Sequence, residues 1–436
     1  MEPTLNDPID QSWTYLKKLI FRISAIYFLF LFEPWNYLQQ IPGSNYVLKY
    51  WFQLLDAIVQ GLNKYWFHIK DELVYPNGSG DTSFGWAQQF SMLVLAPIVG
   101  VIWSLLDRKT KTFEQWDYWL RIFVRYSIAS VAFTYGILKV FPLQMPYPLL
   151  SQMATPLGDF LPMRFSWMFI GYSHPYETFS GTLEVLAALL LFNRKTVNMG
   201  IFMCCGIFLN VMMLNLCYDI PVKIYSINLF LASIFLLLND AKRMFAFFVL
   251  NQPVGINLSW DWIPNQKWKK IGRWVVKSVF FIVFFGIPFY QAYDSYQQEK
   301  NVASFKPLPT GVYDVTSFVR NKDTVPALVS DTIRWQNLIM EKGHLGSVGS
   351  KDNQFRQLYG RGYFNIQEDS TSKQLEFRKS RSDSLPFARF KYLTKDSSIY
   401  LWGKLKTDSL HIVLKKSKRH FQLSENQFHW LSEANR

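Results

Sequence analysis

The stretch Glu177-Thr-Phe-Ser-Gly-Thr-Leu-Glu184-Val-Leu-Ala-Ala-Leu-Leu-Leu-Phe192 has the composition of a membrane helix, yet it carries a carboxylate within its apolar part. A charged side chain at the centre of a bilayer costs about 2.5–3.5 kcal/mol on insertion scales. Such a residue is tolerated when it has a partner, holds a proton or has a function. Glu184 therefore indicates a membrane-spanning fold and the place to look for a functional site.

The composition divides the chain into an apolar part and a polar part. Of 436 residues, 50% are hydrophobic and 18% are charged, against about a quarter charged in ordinary soluble proteins. Phe, Leu, Ile and Trp are concentrated before residue 295, and the remainder is charged and rich in serine. We therefore predict an α-helical membrane bundle followed by a soluble domain, with a linker over Tyr293–Pro309.

The net charge of +14 does not indicate nucleic-acid binding. The basic residues form no compact stripe, and the sequence contains no nucleic-acid-binding motif. Basic loops on one side of a bilayer account for such a charge in a membrane protein. We expect the lipid bilayer to be a partner and nucleic acid not to be one.

Seven apolar stretches are each long enough to cross a bilayer, which requires about 20 residues. They lie near 18–38, 86–106, 117–141, 175–193, 197–218, 220–239 and 272–293. The first follows Lys17-Lys18 and has no small-residue cleavage site, so it is interpreted as an anchor rather than a signal peptide.

Basic clusters follow alternate spans, and this pattern predicts the orientation of the protein. The clusters are Asp107-Arg-Lys-Thr-Lys111, Asn193-Arg-Lys195, Lys242-Arg243 and Lys267-Trp-Lys-Lys270. If these loops are cytoplasmic, the N-terminus is cytoplasmic and the C-terminal domain lies in a periplasm-like compartment. The prediction is a multi-pass protein of a bacterial inner membrane.

Three aromatic-rich segments with interspersed charges lie between the predicted spans: Tyr46–Ile69, Phe160–Tyr172 and Met244–Leu250. Amphipathic segments of this kind lie flat at a membrane surface. Ordinary packing against the helical bundle explains the same composition, and the sequence leaves both interpretations open.

The hydrophobic pattern changes at about Pro307 to the alternation that is typical of β-strands. Gly311–Phe318 and Ser398–Gly403 alternate, and His411–Leu414 follows the latter across a polar turn. Short strands separated by turns predict a mainly antiparallel β-barrel or β-sandwich over 301–436.

Polar residues near the predicted outer ends of the spans form the candidate site. Tyr135 and Lys139 are four residues apart and Glu177 and Glu184 are seven apart, so each pair shares one helix face. Ser180-Gly181 between the two acids allows another helix to come close. The same predicted layer contains the remaining candidates: His174, Asn215, Asp219 and Lys223. We predict one polar pocket there, open to the periplasm.

The sequence leaves two roles open for Lys139 and Glu184. They can form a structural ion pair, or they can move protons, because burial and pairing shift pKa values. Charged groups near helix ends can also act only as anchors, which applies to Glu177 and Lys223. His174 alone is typical of a surface histidine.

The sequence contains no strong signature of a metal site or of an enzyme. His411, His420 and His429 lack metal-ligand spacing, so no metal is assigned. The cysteines lie within one apolar stretch and are interpreted as packing thiols: Cys204, Cys205 and Cys217. No phosphate-binding loop, nucleophile elbow or zinc-protease motif is present.

Short motifs occur in the helices over 117–240. One helix contains Arg125 and Tyr135-Gly136-x-x-Lys139, and the next contains Ser180-Gly181-x-x-Glu184, followed by Asn193-Arg-Lys195. With these motifs the segment resembles the DoxX-like family of four-helix membrane proteins. The layout of a membrane bundle and a β-rich part is also similar to that of the HTTM and vitamin K-dependent carboxylase group, without a shared motif.

The resemblance implies a long, Bacteroidetes-type form of the DoxX-like family. Its parts would be N-terminal spans and interfacial helices in 1–116, a four-helix core in 117–240, a cytoplasmic loop, the last span and the linker in 241–300, and an extracytoplasmic β-rich domain in 301–436. The family is linked to membrane redox chemistry, which implies a quinone as the cofactor class.

Two functions from different classes follow from these observations. In the first, the protein is a quinone-linked redox subunit in which Lys139 donates to a quinone oxygen and Glu184 relays the proton. In the second, it is not an enzyme: the C-terminal domain binds a protein or lipid partner, and the bundle is its anchor. A carrier of small molecules or lipids predicts inverted repeats, which the sequence does not display.

Overall fold

The computed structural model describes residues 12–255, 260, 262, 264–305, 308–328, 331–369, 371–395, 398–426, 428–431 and 433. These residues divide into two compact units. The first comprises Met1–Gln144 and Pro175–Tyr293, and the second comprises Met145–His174 and Asp294–Arg436. The second unit therefore contains the predicted β-rich domain together with a segment that precedes the predicted fourth span.

The first unit is helical. In chain order, the α-helices among the described residues of both units are α1 (Tyr15–Phe32), α2 (Asn45–Leu62), α3 (Ser83–Leu106), α4 (Glu114–Val140), α5 (Leu150–Met153), α6 (Pro162–Tyr172), α7 (His174–Phe192), α8 (Val197–Cys217), α9 (Lys223–Leu238), α10 (Ala241–Phe248), α11 (Lys267–Phe281), α12 (Ile287–Lys300) and α13 (Gln422–Glu425). A π-helical turn joins α11 and α12 into one continuous helix, Lys267–Lys300. A helix is present at each of the seven positions where the sequence predicts a span.

Among the described residues, three helices are long and apolar enough to cross a membrane: α3, α8 and Lys267–Lys300. A fourth is obtained if α9 and α10, which are bent by 77°, count as one span. The helices α1, α4 and α7 have charged side chains within them, among them Arg22, Arg125 and Glu184, and so lack an equally long apolar stretch. The architecture is compatible with a multi-pass membrane protein.

The core of the helical unit lies around α4. Val124, Ile128, Ala129 and Ala132 are at most 1% exposed and recur at helical spacing along one face. On α7, Ala187, Ala188 and Leu191 are fully buried in the same core. The small side chains on both helices allow their backbones to approach closely, which positions the candidate site.

The segments expected at the membrane surface differ in how they are buried. Within Tyr46–Ile69, α2 exposes Tyr46 and Tyr50, whereas Val59 packs against Leu73 and Ala87. Phe160–Tyr172 contains α6 (Pro162–Tyr172), which belongs to the second unit. The structure describes all of α10, and none of its residues is buried.

The second unit contains a closed antiparallel barrel, one of the two predicted architectures. The strands described are β1 (Gly311–Arg320), β2 (Asp323–Thr324), β3 (Asn337–Met340), β4 (Leu345–Val348), β5 (Arg356–Leu358), β6 (Arg361–Asp369), β7 (Gln374–Arg378), β8 (Ala388–Lys395), β9 (Ser398–Leu405) and β10 (Asp408–Lys416). The order is β10-β9-β8-β7-β6-β4-β3-β1, and β10 pairs with β1 to close the ring. The short strands β2 and β5 add to β1 and β6.

Aromatic side chains fill the interior of the barrel. Trp335, Phe364, Phe377 and Phe390 are all fully buried. Phe364 stacks on Phe377 with ring centroids 4.1 Å apart, and Trp335 meets Phe377 at 6.3 Å. The inward-facing positions of the strands thus form a packed core.

The segment Met145–His174 packs on this barrel. The Ser151 backbone N–H donates to Glu341 Oε1 over 2.8 Å, and both residues are buried. Arg164 Nε donates to the Tyr359 hydroxyl over 3.3 Å. These contacts explain why the segment belongs to the second unit although it lies between two predicted spans in sequence.

Candidate functional site

The helices α4 and α7 cross at two glycines. A Cβ at Gly136 would lie 2.9 Å from Glu184 Cβ and from the Gly181 carbonyl oxygen. A Cβ at Gly181 would lie 2.5 Å from the Gly136 carbonyl oxygen and 2.6 Å from Lys139 Cβ. Only glycine allows this approach at either position, and helix pairs in membrane proteins also pack closely through small residues.

Lys139 and Glu184 form a buried ion pair beside this crossing. Each residue follows the glycine of its own helix by three positions and therefore lies on the same face. Lys139 Nζ contacts Glu184 Oε1, and the two side chains are 9% and 4% exposed. The pairing expected from the sequence is thus present in the structure.

The second carboxylate oxygen of Glu184 is available to another group. Glu184 Oε2 is buried and has no hydrogen-bond partner among the described residues. A buried polar atom without a partner is uncommon in a folded protein, because it loses hydration and gains nothing. This oxygen can accept a proton or a hydrogen bond from a molecule that reaches the pair.

Tyr135 lies one helical turn before Lys139 on α4 and is partly exposed. Its side chain is 39% exposed and interacts electrostatically with Glu184. Its ring lies 6.4 Å from that of Tyr225. Cys204 also interacts electrostatically with Glu184 but is buried. Tyr135 is therefore the exposed member of this group.

Glu177 lies on the same face of α7 as Glu184 and is fully buried. The neighbouring Thr178 Oγ1 donates to the Val140 carbonyl oxygen over 3.4 Å. This bond links α7 to the end of α4 in addition to the Lys139–Glu184 pair.

Asn215, Asp219 and Lys223 form a separate cluster with a residue that the sequence did not single out. Lys223 Nζ lies 2.7 Å from Asp219 Oδ1 and 3.5 Å from Asp81 Oδ2. The Asp81 carboxylate also accepts hydrogen bonds from the backbone N–H groups of Lys223, over 2.8 Å, and Ile224, over 3.0 Å. It therefore caps the N-terminus of α9. Asn215 is buried and donates to the Val222 carbonyl oxygen over 3.4 Å.

The contacts join these candidates in separate groups, and a single pocket that contains all of them stays a prediction. The candidates of the helical unit divide into a charge pair on α4 and α7 and a capping cluster at the start of α9. His174 belongs to the second unit, where its ring meets that of Tyr147 edge-on at 6.0 Å.

The helical unit also contains a network of three hydrogen-bonded polar residues that was not predicted from the sequence. The Tyr27 hydroxyl donates to Asn228 Oδ1, Asn228 Nδ2 donates to Gln89 Oε1 over 2.8 Å, and Gln89 Nε2 donates to the Tyr27 oxygen over 3.0 Å. This closed ring of bonds satisfies its members and links α1, α3 and α9. A signal was available, because Asn228 interrupts an apolar run just as Glu184 does.

Comparison with known proteins gives limited information about identity. No protein-family model matches the chain. The chain is 37% identical over 83 residues to the uncharacterized protein YwoB of Bacillus subtilis, a match that covers 19% of this chain and 54% of that protein. The chain thus spans about half the length of this relative. No solved structure matches this chain.

Proposed function

We propose that the chain is a multi-pass, DoxX-like protein of a bacterial inner membrane that works with a quinone. In this proposal seven helices span the bilayer, the N-terminus is cytoplasmic and the barrel is periplasmic. The apolar helices and the two motifs that meet at the α4–α7 crossing support it. The residues shared with the DoxX-like pattern are those that make the closest contact between two helices, Gly136 and Gly181, and the buried charge pair, Lys139 and Glu184.

The observation that carries the proposal is the buried oxygen Glu184 Oε2, which has no hydrogen-bond partner among the described residues. Reduction of a quinone consumes two electrons and two protons. Lys139 would donate a hydrogen bond to a quinone oxygen, Glu184 would take up two protons one after the other and pass each to the quinone, and the two electrons would come from a separate redox protein. A headgroup would reach the pair past the half-exposed Tyr135.

We expect a quinone to be present in an organic extract of the purified full-length protein, and to be depleted at least about tenfold in the Glu184→Gln variant. The amide keeps the shape of the side chain but has no charge to hold the Lys139 ammonium in place for its hydrogen bond to the quinone, and it cannot hold the proton. The measurement is the quinone-to-protein ratio after extraction, determined by chromatography and absorbance.

Glu33→Gln is the matched control for this experiment. Glu33 is another carboxylate of the helical unit, and it is bound by Asn36 and Gln88 instead of a cation. Its amide variant should retain the quinone content of the unchanged protein. Equal quinone content in the Glu184→Gln variant, or no quinone in any sample, would contradict the proposal.

A second function is favoured by the barrel. The barrel has a complete aromatic core of its own, as a binding module on a membrane anchor would require. Its outer wall carries a groove of about 680 Å³ with four basic side chains, Arg389, Lys391, Lys404 and Lys406, beside Trp402. Under this function the partner would bind the outer wall and would be acidic, and the extraction experiment would find no quinone.

A further inference from the structure

A second site in the helical unit is formed by α4 and the first half of the Lys267–Lys300 helix. A cavity of about 640 Å³ lies between them, in the size range of small-molecule pockets. Neither Lys139 nor Glu184 lines it. The inference drawn from this cavity therefore does not depend on the proposed quinone function.

The polar side of this cavity is lined by positive charges. Its basic residues are Arg125, Arg194, Lys269, Arg273 and Lys277. None of the described residues that line it is acidic. Lys277 interacts electrostatically with Arg125, Arg194 and Arg273 at once, and all three are cations. Like charges in one cleft repel each other, and the arrangement is stabilised when an anion occupies it.

Several other basic residues of the helical unit have carboxylate partners, whereas three of the basic residues that line the cavity have none among the described residues. Arg121 contacts Asp117 one turn before Arg125 on α4, and Arg243 contacts Asp240. In contrast, Arg125, Arg273 and Lys277 have no ion pair with any acidic side chain in the described part of the chain. Arg125 Nε is in addition buried and without a hydrogen-bond partner among the described residues.

The apolar side of the cavity is a wall of aromatic rings. The Phe280 ring lies 4.4 Å from that of Phe284 and 4.7 Å from that of Tyr126, and Tyr37 meets Phe284 edge-on at 5.3 Å. The cavity surface is mostly apolar and continues directly from the basic residues. A ligand that fits both sides has an anionic head and an apolar chain.

We propose that this cavity binds a membrane lipid whose phosphate headgroup has a net negative charge. Arginine is suited to hold the phosphate, because its planar guanidinium donates two parallel hydrogen bonds to phosphate oxygens. Arg125 and Arg273 would bind the headgroup, Lys277 would add charge, and the chain would lie along Phe280 and Phe284. Basic pockets between membrane helices bind anionic headgroups in this way.

The test is a titration of the full-length protein in neutral detergent, read as the shift of its melting temperature. The probes are phosphatidylglycerol, phosphatidylcholine with the same chains, and inorganic phosphate alone. We expect phosphatidylglycerol to bind at least about tenfold more tightly than phosphatidylcholine, since only the former leaves a net negative charge for the arginines. Inorganic phosphate should bind weakly, because it has no chain for the aromatic wall.

The variant Arg125→Gln, Arg273→Gln should lose at least about tenfold in affinity for phosphatidylglycerol. Without lipid, the Arg273→Gln change alone should raise the melting temperature, because it relieves repulsion from Lys277. A variant that keeps the charge, Arg125→Lys with Arg273→Lys, should fold and bind more weakly than the unchanged protein but more tightly than the glutamine variant, because lysine keeps the charge and loses the paired hydrogen bonds. The opposite signs of the stability and binding effects would not arise from a merely structural role.

The matched control removes two exposed charges of the same unit that do not line the cavity, by Lys109→Gln with Lys242→Gln. It should bind phosphatidylglycerol like the unchanged protein. An equal loss in this control, or no preference over phosphatidylcholine, would overturn the proposal. Inorganic phosphate that binds as tightly as the lipid would also overturn it, since the site would then be one for free phosphate.

Discussion

Replacing Gly181 with alanine is expected to destabilise the helical unit by about 3 kcal/mol or more, at the upper end of overpacking effects. The new Cβ would lie 2.5 Å from the Gly136 carbonyl oxygen and 2.8 Å from Val140 N. Both are backbone atoms of α4, so the backbones of α4 and α7 must move apart. The movement would also separate Lys139 from Glu184. Thermal unfolding of the purified full-length protein in detergent, followed by tryptophan fluorescence, measures the effect.

Gly206→Ala is the matched control for this change. Gly206 also lies inside a helix, α8, but a Cβ there would meet no atom within 4 Å. Alanine in an open helical position is favoured over glycine by about 0.5–1 kcal/mol. We therefore expect opposite signs from the same substitution at the two positions. If both variants melt alike, the close approach of α4 and α7 is not a determinant of stability.

The contact itself could be predicted from the sequence because its signals are local. Residue spacing places Lys139 and Glu184 on defined faces of their helices, and Ser180-Gly181 indicates that another helix comes close. An unpaired charge in an apolar segment requires a partner, and Lys139 lies at a matching depth. Periodicity along one helix and depth in the bilayer were sufficient for this pair.

Which candidate residues contact each other could not be predicted in the same way for the other helices. The predicted depth of a residue in the bilayer does not specify the direction in which it points around the bundle. The sequence predicts that Lys223 shares a layer with Lys139, but Lys223 contacts Asp219 and Asp81, and Asp81 is 142 residues away from it in sequence. The sequence around Asp81 and the sequence at the start of α9 contain no pattern that predicts this capping contact. The order in which helices neighbour each other depends on such long-range contacts.

The choice between barrel and sandwich also depends on a long-range contact. Alternating apolar residues predict strands in both architectures. The barrel is decided by the pairing of β1 with β10, in which Tyr313 lies opposite Lys416. The attachment of Met145–His174 to the barrel depends similarly on Ser151 and Glu341, which are 190 residues apart.

Replacing Lys139 with methionine is expected to destabilise the protein by about 3–5 kcal/mol, because the change leaves the Glu184 charge buried without its cation. Glu184→Met should cost a similar amount for the converse reason. The double variant, Lys139→Met with Glu184→Met, leaves two apolar side chains of similar volume and should recover most of the loss. Asp219→Asn is the control, since its side chain is 79% exposed and such pairs contribute about 0–1 kcal/mol.

The stability of the double variant separates the two roles of the pair when it is combined with quinone extraction. A structural ion pair can be replaced by methionines, so a stable double variant that retains quinone would assign Lys139 and Glu184 to holding α4 against α7. A proton-exchanging pair cannot be replaced in this way. A stable double variant without quinone would therefore tie ligand binding to the two charges themselves and not to the helix contact they maintain. Equal losses in the single and double variants would show that Lys139 and Glu184 do not act as a pair.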